Sequence, residues 1–436
     1  MPTFLGFAAL CLLATDALNI YLSPVPGLSA KNLIIYCVAV LLALRMVIGR
    51  QSVSDMGQMQ GAFIAVIGYA FVTWLVAALV IDYGHYDFVA SGILLKSDLI
   101  DYYIFFLVFL FGAKTPDDAM KMIKGLVLGA FFANVITVLD GFGIVSLGFR
   151  IREDGRTAGA VGESNQYAAF IVLFLPATIA AAVSSRGFQR LFWLCSAMVA
   201  AMTLMMTASR GGFVGLAMAC AVGAFLYRHL ISYSRIAGWV FAALILLVLV
   251  VTFSSYGNLL AERMLGAGSA DVGTVSSGRS DIWATALAAM VAHPITFITG
   301  FGWEVYSSMP FQFATHNHYL QLWFNLGLVG LIGGSYLLFS SIARARRASL
   351  QAAPPYRGQL IAFVLGGVGV ATAVFFVNLH QPWYYFWMYA GVVMRLVLLV
   401  QRKPAKVPVT SASDVPRRLP TPRRDPYGWA QPQVRS

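Results

Sequence analysis

The chain has 436 residues, of which 59% are hydrophobic and 11% are charged, and its formal net charge is +12. In soluble globular domains about a quarter of the residues are charged, so this composition excludes an ordinary soluble domain. Apolar runs of roughly 16 to 25 residues recur along the chain, and nearly all are long enough to cross a bilayer. The sequence therefore predicts an all-α polytopic membrane protein with about twelve transmembrane helices, over residues 3–22, 32–49, 61–81, 99–114, 120–144, 167–184, 190–208, 211–229, 236–254, 319–340, 360–379 and 383–401.

The positive charge is concentrated in alternate loops between these spans. The positive-inside rule places such loops, and with them both chain termini, in the cytoplasm. The basic balance is thus a topology signal, and we expect no nucleic-acid partner. The basic positions are Arg45, Arg50, Lys114, Lys121, Lys124, Arg186, Arg190, Arg228, Arg235, Arg344, Arg346, Arg347, Arg357 and the tail from Arg402.

Two loops on the opposite, outer side are longer than the others, 145–166 and 255–318. A long loop usually carries function or disorder, so 255–318 is expected to be a large outer loop. It also has structural content of its own. Ser280 is a good N-cap for an amphipathic segment, Asp281–His293, and Pro294 ends that segment.

Residues 1–401 are predicted to form one membrane domain that includes the loop 255–318. Segment 86–97 is too short and too polar to span, so we expect it to lie in the interface or to connect helices. The tail 402–436 is rich in Pro and Arg and lacks apolar periodicity. We expect this tail to be disordered, with its arginines contacting the anionic headgroups of bilayer lipids.

Two histidines stand where the long outer loop runs into a membrane helix, in the sequence THNHYLQLWFNLGLVG of residues 315–330. A neutral imidazole at His316 can accept a proton from a bound hydroxyl, whereas the plain alternative is a histidine that only hydrogen-bonds a loop. His318 lies two residues on, so it points elsewhere if the helix has begun, and this spacing argues against a zinc pair. Gly327 and Gly330 lie one turn apart and allow another backbone to come close.

Two arginines have surroundings that suit a diphosphate. Arg210 precedes Gly211 and Gly212 at an outer turn, where its guanidinium and nearby backbone N–H groups can hold a phosphate. Arg279 comes just before Ser280, so its guanidinium lies near a helix N-terminus, which favours anions. For either arginine alone, snorkelling or salt-bridging is an equally good explanation.

The other outer loop carries further candidates for substrate binding. Arg152 and Arg156 precede Asn165 and Gln166, whose amides can hydrogen-bond sugar hydroxyls, although capping the next helix is the simpler role for Asn165. Three tryptophans can stack on sugars or sit in the interfacial aromatic belt, with the belt favoured for the last: Trp283, Trp303 and Trp383.

The outer loops lack the carboxylate clusters that a hard cation prefers, and the chain shows no P-loop or Rossmann fingerprint. We therefore expect neither a metal nor a cofactor. If the leaving group of the reaction is a diphosphate, arginines and not a metal ion must then neutralise its charge.

Three motifs together resemble those of the O-antigen ligase and polymerase superfamily of bacterial inner-membrane glycosyltransferases. They are Ser209-Arg210-Gly211, Gly278-Arg279-x-x-x-Trp283 and His316-Asn317-x₉-Gly327-x-x-Gly330. The last motif resembles the H-[NSQ]-x₉-G-x-x-G pattern of the ligases, and this favours a ligase over the more variable polymerases. Fold likeness alone would not support such a choice.

The resemblance implies a GT-C-like enzyme whose active site lies on the periplasmic side of the inner membrane. The donor would be an O-antigen linked to undecaprenyl diphosphate, and the acceptor a sugar of the lipid A–core oligosaccharide. His316 would then be catalytic, and Arg210 and Arg279 would bind the diphosphate. Gly327 and Gly330 would be structural, and further substrate contacts are expected from Asn317, Arg152, Arg156, Asn165 and Trp283.

Three other functions stay open: an O-antigen polymerase, a protein O-oligosaccharyltransferase and, in a different class, a non-enzymatic transporter of lipid-linked sugars. A transporter would need polar or charged residues lining the middle of several spans. The predicted spans contain chiefly Asp16, Asp140 and Arg395. The polar groups are concentrated in the outer loops, so chemistry is favoured over transport.

Overall fold

The computed structural model describes residues 2–17, 28–48, 56–81, 83–146, 155–230, 238, 245, 248, 252, 257–259, 278–309 and 314–401. Within these residues the chain forms helices joined by turns. In chain order they are α1 (Pro2–Ala17), α2 (Ala30–Ile48), α3 (Gly57–Val76), α4 (Phe88–Leu95), α5 (Asp101–Gly112), α6 (Pro116–Gly141), α7 (Ser164–Ser184), α8 (Gly187–Thr207), α9 (Arg210–Leu226), α10 (Arg279–Ala292), α11 (Thr296–Thr299), α12 (His318–Gln351), α13 (Pro354–Ala373) and α14 (Gln381–Gln401). The π-helical turn Ala77–Ile81 extends α3, and the π-helical turn Lys96–Ile100 joins α4 to α5.

Among the described residues, 6 helices are long and apolar enough to cross a membrane. They are α3 with its π-helical extension, α6, α7, α8, α12 and α14, and shorter apolar helices lie within α1, α2 and α9. The prediction of a multi-pass helical membrane protein is therefore confirmed. The count of about twelve spans and the GT-C-like architecture stay predictions. The predicted span 236–254 and the tail 402–436 lie almost entirely outside the described residues.

The centre of the bundle is α14, which packs against α5 through aromatic side chains. Tyr384 and Phe105 have ring centroids 5.1 Å apart, and Tyr385 and Phe386 are fully buried. A Cβ atom on Gly391 would lie 2.4 Å from the carbonyl oxygen of Phe106. Small residues of this kind let two membrane helices approach closely, which holds the helix ends in fixed positions.

Segment 86–97, which was expected to lie in the interface or to connect helices, is mostly helical and continues into α5. Asp87 caps α4, and its carboxylate accepts a hydrogen bond of 2.9 Å from Ala90 N. The π-helical turn then rotates the chain before Asp101, which is fully buried and pairs with Lys96 at 2.9 Å. Such π-helical turns often mark functional sites, and this one carries Asp98, whose Oδ2 lies 3.4 Å from His380 Nδ1 immediately before α14.

Candidate active site

The helix that follows the two histidines is broken at Gly327. Its φ and ψ of 57° and −153° are not helical, so the carbonyls before the break lack their usual partners on the same helix. The loop that precedes α12 supplies those partners. Phe301 N donates to the carbonyl oxygen of Phe324 at 2.8 Å, and Gly302 N donates to that of Asn325 at 2.9 Å. The break at Gly327 thus lets two carbonyl oxygens accept hydrogen bonds from the loop, and these bonds hold the loop against α12.

Close backbone packing explains why glycine is needed at Gly327. A Cβ atom there would lie 2.1 Å from the carbonyl oxygen of Ile298. The expectation that another backbone approaches Gly327 is confirmed. Gly330 differs, since the atom nearest to its added Cβ belongs to Leu326 of the same helix.

The His316 loop is held on two sides. Trp283 Nε1 donates to the carbonyl oxygen of Thr315 at 2.8 Å, and Asn378 Nδ2 donates to Thr315 Oγ1 at 2.8 Å. Asn317 caps α12, because its side chain accepts from Leu320 N at 3.1 Å. His316 itself has a φ of 48°, which is uncommon for a residue other than glycine and persists only where the surroundings enforce it.

Arg210 begins α9 directly after a tight turn. Ser209 caps this helix and accepts from Gly212 N at 3.3 Å, while Ala208 adopts a left-handed φ of 44°. Arg210 is partly exposed and is the first residue of α9, so it lies at a helix N-terminus, where an anion is favoured.

One short segment, 374–378, contacts both the Arg210 turn and the His316 loop. A Cβ atom on Gly211 would lie 2.9 Å from the side chain of Phe376. On the other side His318 N donates to the carbonyl oxygen of Val374 at 2.9 Å, next to the Asn378 hydrogen bond described above. The residues flanking Arg210 and His316 therefore contact the same turn after α13.

Arg279 approaches the His316 loop through α10. It is the first residue of that helix and is partly exposed. Trp283 lies one turn further on, and residues one turn apart share a helix face. Because Trp283 donates to Thr315, Arg279 lies on the face of α10 that meets the His316 loop.

The cap predicted for α10 is wrong. The helix begins at Arg279 with Gly278 as its N-cap, and Ser280 lies inside the first turn. Gly278 has a φ of 74°, which glycine adopts without strain. The end of the helix is as expected, since His293 follows its last residue and precedes Pro294.

Arg156 and Asn165 form a buried network under the Arg210 turn. Arg156 Nε donates to the carbonyl oxygen of Thr207 at 2.8 Å, and its Nη2 donates to Asn165 Oδ1 at 2.8 Å. Asn165 Oδ1 also accepts from Ser209 Oγ at 2.9 Å. Since Arg156 is only 3% exposed, these contacts give it a clear role in shaping the turn. The second predicted arginine of this loop, Arg152, lies outside the described residues.

Two further expectations about side chains differ from the structure. Glu163, and not Asn165, caps α7, accepting from Gln166 N at 2.6 Å. A carboxylate can fill the N-cap position as well as an amide. Trp383 is only 4% exposed and packs inside the bundle against His318, with ring centroids 5.1 Å apart. It is not part of an exposed aromatic belt.

A cluster of ionisable residues beside this site was missed by the sequence analysis. Asp98 Oδ2 lies 3.4 Å from His380 Nδ1, and Glu304 is close enough to both for its ionisation to be affected. Burial, followed by the charge of Asp98, raises the pKa of Glu304 to about 7, while His380 opposes the shift. The hydrogen bond to Asp98 raises the pKa of His380. Glu304 also has a left-handed φ of 56°. The only signal in the sequence for a role of Glu304 was its position in the long loop.

Within the described part of the chain, no group of three or more His, Cys, Asp or Glu residues could hold a metal ion. The expected independence from metal and cofactor stays a prediction. The charge available at the site comes from Arg210 and Arg279, and guanidinium groups bind phosphate oxygens in a two-point geometry.

The apolar helices define a multi-pass membrane protein. Its candidate active-site residues lie at the N-termini of helices. A family model described as O-antigen ligase matches residues 191–333. That range contains all three motifs, with Arg210, Arg279 and His316, and the resemblance seen in the sequence is confirmed. This match supports the O-antigen ligase superfamily as the one that the chain resembles, and that superfamily contains glycosyltransferase-like O-antigen ligases and polymerases.

A Haemophilus influenzae protein named "Uncharacterized protein" is 26% identical over 172 residues, which is 35% of this chain and 42% of that protein. The chain therefore spans less than half the length of this relative.

Proposed function

We propose that this protein is an O-antigen ligase. It would move O-antigen polysaccharide from undecaprenyl diphosphate onto a sugar of the lipid A–core oligosaccharide. The observation that supports this most is the shared contact of the Arg210 turn and the His316 loop with segment 374–378. A diphosphate bound by Arg210 and a hydroxyl bound by His316 would meet across that segment.

In the proposed reaction Arg210 and Arg279 bind the diphosphate at the N-termini of α9 and α10. The acceptor oxygen attacks the anomeric carbon and forms the new glycosidic bond, while the bond from that carbon to the diphosphate oxygen breaks. The arginines stabilise the charge that develops on the leaving diphosphate. His316 orients the acceptor hydroxyl and takes its proton. A single displacement of this kind inverts the anomeric centre and uses no metal.

The proposed location follows from the charge pattern and the substrates. Both termini would be cytoplasmic in the bacterial inner membrane, and the site would face the periplasm. Because both substrates are anchored in lipid, we expect the site to open laterally to the bilayer. Asn317, Arg152, Arg156, Asn165 and Trp283 remain proposed substrate contacts, although the structure gives Asn317 and Arg156 structural contacts as well.

An O-antigen polymerase is the second candidate, because the superfamily contains both activities. The two make opposite predictions for a deletion strain. Loss of a ligase leaves long polymer on undecaprenyl diphosphate and none on lipid A–core, whereas loss of a polymerase removes the long polymer itself. A protein O-oligosaccharyltransferase would instead glycosylate protein.

The test is to compare the lipopolysaccharide profile of the deletion strain with its pool of undecaprenyl-linked polymer. Complementation by the wild type should restore polymer on lipid A–core, and complementation by His316→Ala should not. An unchanged lipopolysaccharide profile in the deletion strain would refute the ligase and polymerase proposals together. A transporter would be indicated if purified protein moved lipid-linked sugar across vesicles without forming a glycosidic bond.

A further inference from the structure

A cavity of about 90 Å³ lies next to the His316 loop. Its polar end is formed by Asp98, Glu304, His318 and His380, and its apolar end by side chains of α3 and α12 such as Phe63. A cavity of this volume has room for several water molecules. The residues of the polar end come from separate parts of the chain, and His318 belongs to the same loop-to-helix junction as His316.

The polar end offers mainly hydrogen-bond acceptors. Ionised carboxylates accept and do not donate, whereas Glu304, with a pKa of about 7, can also donate while it is protonated. Tyr102 OH donates to the carbonyl oxygen of His380 at 2.9 Å and lies 3.4 Å from Asp98 Oδ1. Glu304 is 8% exposed, and it borders the cavity.

Two residues that line the cavity each have a buried ring nitrogen that lacks a hydrogen-bond partner within the described part of the chain. Among the described residues, neither Trp383 Nε1 nor His318 Nδ1 has a hydrogen-bond partner, although both atoms are buried. Trp383 is only 4% exposed, and an indole N–H that is buried in this way normally finds an acceptor. A ligand hydroxyl group beside both rings would satisfy them, since its oxygen can accept from the indole N–H and it can also donate to an imidazole nitrogen that lacks a proton.

The walls also carry flat aromatic surfaces. Trp303, Trp383 and Trp387 line the cavity, and the rings of Trp383 and Trp387 are stacked with centroids 6.1 Å apart. An aromatic face packs well against the apolar C–H face of a sugar ring, while hydroxyl groups at its edge both donate and accept.

We propose that this cavity binds one saccharide unit of a substrate, beside the unit that reacts at His316. Hydroxyl groups of the sugar would donate to Asp98 and Glu304, and a ring or hydroxyl oxygen would accept from Trp383 Nε1. The proposal rests on the proposed function for the identity of the saccharide, which belongs either to the lipid A–core acceptor or to the undecaprenyl-linked donor. The chemistry recognised, a ring with adjacent hydroxyl groups, is the same in both.

The first experiment measures steady-state transfer by purified full-length protein in lipid nanodiscs, with one substrate varied while the other saturates. Glu304→Gln and Trp383→Phe should each raise one KM at least about tenfold while kcat changes less than about threefold, because a subsite contributes to binding and not to the bond-breaking step. A raised KM for lipid A–core assigns the cavity to the acceptor, and a raised KM for the undecaprenyl-linked polymer assigns it to the donor.

Matched variants outside the cavity control for general damage. Asp117→Asn removes an exposed carboxylate that accepts from Tyr356 OH at 3.0 Å, and Trp193→Phe changes a buried tryptophan of α8. Neither should change either KM. If both KM values of well-folded Glu304→Gln and Trp383→Phe match those of the wild type, the cavity is a water-filled packing defect and the proposal is wrong.

A second measurement separates this proposal from the proposed function. Saturation-transfer NMR on the full-length protein would detect binding of soluble core oligosaccharide and of soluble O-antigen fragments. Binding that weakens in Glu304→Gln supports the cavity site even if the wild type transfers no polymer, which would refute only the ligase reaction. Absence of binding of both saccharides to the wild type would refute the cavity site, whether or not the variants fold.

Discussion

Gly300 packs directly against the helix break at Gly327: a Cβ atom added to Gly300 would lie 2.5 Å from Gly327 N and 2.3 Å from the carbonyl oxygen of Asn325. Both glycines have positive φ, 74° and 57°. The contact joins the loop that carries Glu304 to the helix that begins at His318. The His316 loop and the cavity beside it are therefore positioned by one backbone contact that only glycine allows.

We expect Gly327→Ala to destabilise the protein by about 2–3 kcal/mol or more, because the new Cβ meets the Ile298 carbonyl and the left-handed backbone is strained. Transfer activity should fall with it. Thermal unfolding in detergent and complementation would measure the two effects. Gly68→Ala is the matched control, since nothing lies within 4 Å of a Cβ there. Equal stability of both variants would show that the break does not need glycine.

Replacing Arg210 or Arg279 with Lys should lower kcat by at least about tenfold. Lys keeps the positive charge but loses the planar two-point geometry that matches a phosphate group. The rate of polymer transfer to lipid A–core by purified protein would be measured. Arg347→Lys, an exposed position near the end of α12, serves as the control and should transfer normally. Full activity of both site variants would reduce these arginines to roles in topology or packing.

His316→Ala should abolish transfer while expression and binding of the undecaprenyl-linked donor stay close to wild type, because the proton acceptor is lost but the arginines remain. His318→Ala should retain transfer with weaker substrate binding or lower stability, since this ring packs on Trp383. Complementation scored on lipid A–core, with a membrane blot for protein amount, distinguishes the two variants. His229→Ala, exposed and outside the site, is the control.

The reverse result for the two histidines would move the catalytic assignment. If His316→Ala supported wild-type ligation and His318→Ala did not, the proton acceptor would lie in the cavity.

Glu304 should make stability depend on pH. Its pKa is raised from 4.5 to about 7 in the folded protein, so its contribution to stability is fully present below about pH 4.5 and is lost as the pH rises through about 7. The change amounts to about 3 kcal/mol. Wild-type Tm should fall relative to that of Glu304→Gln between about pH 5 and about pH 8. Asp98 and His380 are present in both proteins, and the difference also includes the loss of the Glu304 charge that helps to raise the pKa of His380.

Parallel Tm curves for the wild type and Glu304→Gln would contradict this prediction and show that the Glu304 carboxyl is well solvated. Asp117→Asn provides the baseline for losing an exposed carboxylate. Its curve should run parallel to that of the wild type across the same range.

Much of the helical framework could be predicted from the sequence, because a long apolar run within a bilayer satisfies its backbone hydrogen bonds by forming an α-helix. The spans 120–144 and 190–208 match α6 and α8 closely. The starts of α9 and α12 lie one residue before the predicted spans 211–229 and 319–340, because each helix begins where an apolar run begins. Segment 86–97 was harder, because a π-helical turn within a continuous helix has no clear pattern of hydrophobic residues.

The sequence by itself determined a helical membrane protein with arginines and a histidine at helix ends, because apolar length and capping are local properties. Tertiary structure alone decided that the loop of Glu304 docks on the break at Gly327, that Trp383 is buried, and that Asp98 meets His380. Those contacts join residues that are far apart in the chain. The packing of whole helices sets the distances between these residues, and that packing cannot be predicted from the local spacing of residue types.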